Sequence, residues 1–210
     1  MTVAGCFLDL NFVVDSSESI NSRGPSNWKT TLLFIANITR QFVIGPNDVQ
    51  VAFVLFSHSA AVEWGLTRYH HINDLTKAIR DVRYLGDITN LNAALYLTRT
   101  VVFSPAQGAR ENAIKVTIIL TDGEDNVPRE GTPLTIANAT LCKNDGLRLI
   151  AIGVTNHIYI ERLLKIVSSP EDLYTVDDFR NLADIHDRLT TRICYPAHPK
   201  STIILLFIYS

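Results

Sequence analysis

Residues 8–14 form an apolar run that ends in the polar cluster Asp15-Ser16-Ser17-Glu18-Ser19, the pattern of a buried strand entering a loop. After the breaker Gly24-Pro25-Ser26-Asn27, residues Trp28, Leu32, Ile35, Ala36, Thr39, Phe42 and Val43 recur at helical spacing and predict one buried face. Asn37 falls on the opposite side with Thr30 and Gln41. Residues 49–56 and 60–66 are strand-like and are joined only by Ser57-His58-Ser59, too few residues for a parallel crossover, so this pair is predicted antiparallel. Residues 72–82 and 91–102 read as helices. Residues 114–121 and 147–154 are fully apolar, β-branched strands, with a helical segment at 133–142 between them. A helix at 159–167, a short strand at 173–176 and a last helix at 177–192, with Asp177 or Asp178 near its N-cap, complete the chain.

Strands that alternate with helices imply a mostly parallel sheet covered on both faces. The predicted fold is therefore α/β and doubly wound: six strands, one antiparallel edge strand, and helices on both faces. At 210 residues, 47% of them hydrophobic, the chain suits one domain with a substantial core. No internal repeat or low-complexity linker interrupts the pattern. A formal charge of −2 supplies no general attraction to nucleic acid or to anionic lipid, so neither is expected as a partner.

The ends carry further signals. Cys6 and Cys194 bracket the structured part, and a disulfide between them would tie both ends, contribute about 5 kcal/mol on a loop-entropy argument and leave Cys142 over. Three separate thiols are the alternative. The first residues lack the basic and apolar regions of a signal peptide, and the apolar segment 203–209 would span only about 10 Å as a helix against roughly 30 Å of hydrocarbon. We read the chain as a fragment whose leader and downstream region lie outside it, with 195–210 as an apolar tail. Two glycosylation sequons, at Asn37 and Asn138, fit an extracellular protein.

The chemistry concentrates where strands end. In an open α/β sheet, ligands bind beyond the carboxyl ends of the strands where the winding reverses. Two apolar strands here end in an aspartate, Asp15 and Asp122-Gly123, and Ser17 and Ser19 stand beside the first. This set offers hydroxyl and carboxylate oxygens, which suits Mg²⁺, Mn²⁺ or Ca²⁺ and disfavours zinc or copper. Each piece alone also reads as an ordinary turn or helix cap.

The combination is more specific. Asp-x-Ser-x-Ser at 15, 17 and 19 resembles the metal-ion-dependent adhesion site of von Willebrand factor type A domains and integrin inserted domains. The segment from Gly86 to Leu95, with Thr89, resembles the threonine loop of that family, and Leu120-Thr121-Asp122-Gly123 its aspartate loop. The three occur in family order, and the similarity covers about residues 6–194, the expected domain. The resemblance implies that Ser17 and Ser19 bind the metal through their hydroxyls, that Thr89 joins when ligand is present, and that Asp15 and Asp122 hold coordinating waters. It implies a Mg²⁺-type ion (or Mn²⁺ or Ca²⁺) that binds an acidic residue of a protein ligand, such as collagen or another matrix or cell-surface protein, in an extracellular setting. It also implies a last helix able to shift along its axis. Glu18 occupies a spacer position that is often small in the family; its charge could tune metal or ligand affinity, but a solvent-facing Glu18 with no role is expected.

Two rival functions follow from the same residues. A Mg²⁺-dependent hydrolase would use a strand-end aspartate as nucleophile. Yet a haloacid-type phosphatase wants a second Asp where Ser17 stands, and no glycine-rich phosphate loop is present. We expect no enzyme. The other rival is a binding module of the same fold that works without metal. The six histidines, including His70-His71, lack zinc-site spacing, and Trp64 is expected to pack in the core.

Overall fold

The computed structural model describes residues 6–22, 24–122, 131–155 and 158–194, with backbone alone for 131 and 132. The tail after Cys194 and the glycine of Asp122-Gly123 lie outside the described residues. Six strands, β1 (Leu8–Asp15), β2 (Val49–Phe56), β3 (Ala60–Trp64), β4 (Ile114–Thr121), β5 (Arg148–Val154) and β6 (Leu173–Val176), form one sheet in the order β3-β2-β1-β4-β5-β6. Every neighbouring pair is parallel except β2 and β3. The fold is the doubly wound α/β sheet with one antiparallel edge strand. The winding reverses between β1 and β4, the central pair.

Helices cover both faces. The α1 (Glu18–Ser22), α2 (Asn27–Thr39) and α3 (Ile72–Arg80) helices follow β1 and β3. The α4 (Leu91–Leu97) and α5 (Gly131–Asn144) helices flank β4, and α6 (Ile160–Ile166) and α7 (His186–Cys194) complete the chain. The strand pleat divides β1 between two cores. Leu8, Leu10, Phe12 and Val14 pack with α2, α3 and α7, while Val13 packs with α4, α5 and α6. The face that carries Val13 also carries Asp9, Asn11 and Asp15, all fully buried. Asp9 and Asn11 sit inside the segment read from sequence as one apolar run, and Asp15 ends it.

Each has a different partner. Asp9 accepts hydrogen bonds from the backbone N–H and the Nε of Arg110 at 2.7 and 2.8 Å. Asn11 donates from Nδ2 to the Thr98 hydroxyl (3.1 Å), and that hydroxyl donates to the Ala94 carbonyl (2.8 Å). Thr98 opens a π-helical segment, Thr98–Val102, so the helix predicted to run unbroken to Val102 changes winding where a buried polar side chain meets it. Asp15 belongs to the site described below.

Other departures are local. Val43, expected on the buried face of α2, lies beyond that helix and is 41% exposed, whereas Phe34 and Ile38 are buried. The strand expected to reach Leu66 stops at Trp64, although Leu66 is itself fully buried. The last helix begins as a 3₁₀ segment, Phe179–Ile185, capped by the Asp178 side chain, which accepts from the Arg180 N–H, and becomes α-helical only at His186. Trp64 packs against Phe53 and Tyr69, with ring centroids 4.9 and 5.4 Å away. Cys6 and Cys194 are joined by a disulfide, and Cys142 is a buried free thiol.

Candidate metal centre

Asp15 ends β1 and Asp122 follows β4, so the central crossover places both carboxylates at the carboxyl edge of the sheet. The chain leaves β1 through a tight turn in which the Ser17 N–H donates to Asp15 Oδ1 at 2.9 Å. The turn feeds α1, a single helical turn that the polar cluster had concealed in the sequence, with Ile20 buried beneath it. Ser17 is buried and Ser19 half-buried, their hydroxyls 3.1 Å apart, and the Ser19 hydroxyl donates to Asp122 Oδ1 at 2.7 Å. Four of the five residues singled out from sequence are therefore joined by hydrogen bonds, Ser17, Ser19 and Asp122 through their side-chain oxygens and Asp15 through the Ser17 N–H.

Thr89, the fifth, is buried and lines a small cleft of about 10 Å³ with Thr135, Leu163 and Thr121, the last residue of β4 and the one directly before Asp122. Its loop is fastened to the β1 turn by backbone contacts. The Gly86 N–H donates to the Ser16 carbonyl (2.9 Å), the Leu85 N–H to the Ser16 hydroxyl (2.8 Å), and the Glu18 N–H to the Asp87 carbonyl (2.8 Å). Following it, the Asn90 side chain caps α4 by accepting from the Ala93 N–H and donates to the His58 carbonyl. Glu18 is exposed and meets the loop through its backbone.

Three further residues contribute, of which only Thr121 lies within a motif quoted from the sequence, where no role is assigned to it. Thr121 donates its hydroxyl to Asp15 Oδ2 at 2.7 Å. Tyr84 reaches over the turn and donates to the Ser17 carbonyl at 2.8 Å. Thr155, at the end of β5, donates to the Asp122 carbonyl at 3.3 Å. Asp87 and Thr155 both hold positive φ, 83° and 82°, a conformation that costs a non-glycine residue about 1–3 kcal/mol and concentrates at functional sites. They are the only non-glycine residues with positive φ among those described, and both touch this end of the molecule.

Electrostatics sets Asp15 apart from an ordinary carboxylate. Burial pushes Asp15 up from 3.8 to about 6; the hydroxyl and N–H of Ser17 and the hydroxyl of Thr121 pull the other way, and the charge of Asp122 adds to the rise. Among the described residues no lysine or arginine forms an ion pair with Asp15. Nor do three or more His, Cys, Asp or Glu side chains cluster anywhere in the described structure as a metal site. The site is built from two carboxylates and hydroxyls, a hard-oxygen set.

Comparison with known proteins agrees with this geometry. The human collagen alpha-6(VI) chain is 33% identical over 189 residues, covering 90% of this chain and 8% of the collagen chain. Matrilin-1 of Gallus gallus is 32% identical over 198 residues, covering 93% of this chain and 38% of matrilin-1. Among solved structures, proximal thread matrix protein 1 from the mussel byssus matches with a TM-score of 0.83 and 30% identity, over 92% of this chain and 48% of that one. A further structure of the same mussel protein, described as having a zinc-occupied MIDAS motif, matches with a TM-score of 0.82. That zinc bears on the expectation from sequence that such an oxygen set disfavours zinc: in a similar protein the motif holds it. The chain thus spans less than half the length of each of these relatives. The family model for the von Willebrand factor type A domain matches residues 9–188, and the chain belongs to that family.

Proposed function

We propose that this domain is a metal-dependent protein-binding module of the extracellular matrix, not an enzyme. The observation that carries the reading is the chain of oxygens Ser17–Ser19–Asp122 beside the buried Asp15. Two carboxylates close enough for one to raise the other's pKa, without an arginine at Asp15, fit a divalent cation and favour its binding. Ser17 and Ser19 would hold it through their hydroxyls, Thr89 would add a third hydroxyl once ligand is present, and Asp15 and Asp122 would act through bound water. When bound, a Mg²⁺-type ion supplies an electrophilic position that an acidic side chain of a partner protein can fill.

This chain's own residues hold that end in shape. Tyr84 and Ser16 fix the β1 turn against the threonine loop, and Thr121 orients Asp15. The Ser17 and Ser19 hydroxyls bond to one another and to Asp122, and the non-enzymatic reading is supported by the relatives, whose names are those of matrix proteins. The relatives named as collagens, matrilin-1 and a thread matrix protein support a matrix partner, collagen or another matrix or cell-surface protein, and an extracellular location. No described helix is long and apolar enough to cross a membrane.

The test is capture of matrix proteins, collagens among them, on the immobilised domain in Mg²⁺, in Zn²⁺ and in EDTA. Capture in Mg²⁺ that disappears in EDTA and in Asp15→Ala or Ser17→Ala is the expected result. Equal capture in EDTA would overturn the metal-dependent reading and favour binding through another surface. Stronger capture in Zn²⁺ would overturn the choice of Mg²⁺.

A further inference from the structure

The two sequons occupy very different places in the folded chain. Asn37 lies in the last turn of α2 with its side chain exposed; its Oδ1 accepts from Arg40 Nη1 at 3.0 Å, and among the described residues nothing accepts from its Nδ2. It opens onto a groove of about 510 Å³ between α2 and the 3₁₀ segment before α7, lined by Leu33, Phe34, Phe179, Leu182 and His186 as well as Asn37 itself. Leu33, on the groove's edge, is 49% exposed. Asn138 is half-buried within α5, and its Nδ2, the atom a glycan would take, donates to Asn92 Oδ1 of α4 at 2.7 Å. One amide nitrogen faces open space, and the other bridges two packed helices.

We propose that the native protein carries an N-linked glycan on Asn37 and none on Asn138. The inference rests on the extracellular reading above, since the donor is a lipid-linked oligosaccharide of the secretory route. In the transfer, the bond between the anomeric carbon of the first sugar and the lipid pyrophosphate oxygen breaks, and a bond from that carbon to Asn37 Nδ2 forms. The amide gives up one proton, and the lipid pyrophosphate leaves. The transfer acts on unfolded chain, so Thr39, whose hydroxyl donates to the Ile35 carbonyl in the folded helix, is still readable when the sequon passes.

Folding then separates the two sites. A glycan on Asn37 projects from an exposed helix face, and its first sugars cover the half-exposed Leu33 and the groove, where bulky polar sugar is tolerated. A glycan on Asn138 leaves Nδ2 a single N–H and drives a bulky group into the contact with Asn92 between α4 and α5, so chains carrying it do not reach the folded, secreted pool. Because α2 runs back along the sheet from the β1 turn, its last turn lies at the end away from Asp15, and the glycan leaves the metal centre open.

The experiment is to express the full chain behind a heterologous secretion leader in cultured eukaryotic cells. The secreted protein is then treated with peptide N-glycosidase in heavy-oxygen water, and the labelled aspartates are mapped by mass spectrometry. Supplying the leader separates this test from the extracellular reading, which stands or falls on metal-dependent matrix capture. Label at position 37 and not at 138, and loss of the glycosidase-sensitive mass in Asn37→Gln but not in Asn138→Gln, is the expected result. Label at 138 in the secreted protein, or none at 37, overturns the proposal. The mapping on the unsubstituted chain decides the question even if either variant is poorly secreted. Matrix capture in Mg²⁺ is expected to change less than twofold on deglycosylation, whereas a large change would show that the glycan does not leave the metal end clear.

Discussion

The two ends of the sheet bury carboxylates by opposite means. At the amino end, Asp9 is held by Arg110, which also donates to the carbonyls of Leu8, Pro46 and Asp48. Asp172 there sits between Arg148 and Arg192, and the Cys6–Cys194 disulfide closes the same end. At the carboxyl end, Asp15 takes hydrogen bonds from an N–H and from hydroxyls, and a second carboxylate raises its pKa. A buried carboxylate with arginines around it is a finished structural joint. One set among hydroxyls beside another carboxylate retains a demand for positive charge, and that contrast separates the proposed functional end from the supporting end.

The largest effect is expected at the supporting end. Replacing Cys6 and Cys194 by serine removes a cross-link over nearly the whole chain, which should cost about 5 kcal/mol of stability on the loop-entropy argument. Urea denaturation gives that figure, and Mg²⁺ affinity measured by calorimetry should move less than twofold in the folded variant. A loss of Mg²⁺ affinity much greater than that would mean the two ends are coupled. It would also favour the axial shift of the last helix that the family resemblance implies. The same comparison applies to Asp172→Ala, which leaves Arg148 and Arg192 facing each other at a half-buried position and should cost about 3–5 kcal/mol with the metal centre intact.

The carboxyl end should behave in the reverse sense. Asp15 titrates near 6 in the fold and near 3.8 when exposed, so between those values the folded chain holds a proton that the unfolded chain has lost. Stability of the metal-free protein should therefore fall as pH rises from about 4 to about 6 and level off above, by about 3 kcal/mol from this group. Asp15→Asn should flatten that fall and leave the metal-free protein at least as stable at pH 7, while abolishing Mg²⁺-dependent capture. Saturating Mg²⁺ should offset the fall in the unsubstituted protein, because binding to the folded state adds stability once the carboxylate is ionised. Denaturation midpoints across that range, with and without EDTA, read both effects. A pH profile unchanged by Asp15→Asn would show that this carboxylate is not the one under strain.

The sequence discloses the two ends unequally. Strand and helix positions are legible because burial on both faces leaves β2, β4 and β5 mostly apolar, with Gln50, Lys115, Thr117 and Arg148 as interruptions, and the short link after Phe56 forces the antiparallel pair. The candidate metal centre is legible because Asp15 and Asp122 follow strands, Ser17 and Ser19 stand at fixed spacing from the first, and Thr89 lies in a loop that resembles the family's. The supporting contacts are not. Arg110 lies 101 residues from Asp9, and Arg148 lies 24 from Asp172, distances at which nothing in a linear pattern marks a pair. Asn11 and Thr98 are equally remote, and their meeting sets the π-helical turn that a helical period could not show. Tyr84, Thr121 and Thr155 serve the site through hydrogen bonds formed only after the sheet is assembled.

The smallest effect is expected at Cys142, which lies in neither end. Its Sγ approaches the Leu95 carbonyl at 3.7 Å in the core between α4 and α5, and burial pushes the thiol up to about 11. Almost no thiolate exists at neutral pH, and what exists is enclosed, so an alkylating reagent should not modify the folded protein measurably over hours. Labelling then proceeds only through opening of the core, and its rate becomes a common measure for both ends. Loss of the disulfide should accelerate it at every pH, and Mg²⁺ should slow it chiefly above pH 6, where Asp15 is ionised. Fast labelling of the intact protein at pH 7 would show that the α4–α5 layer opens by itself, and the two ends would then have to be compared by a probe outside that layer.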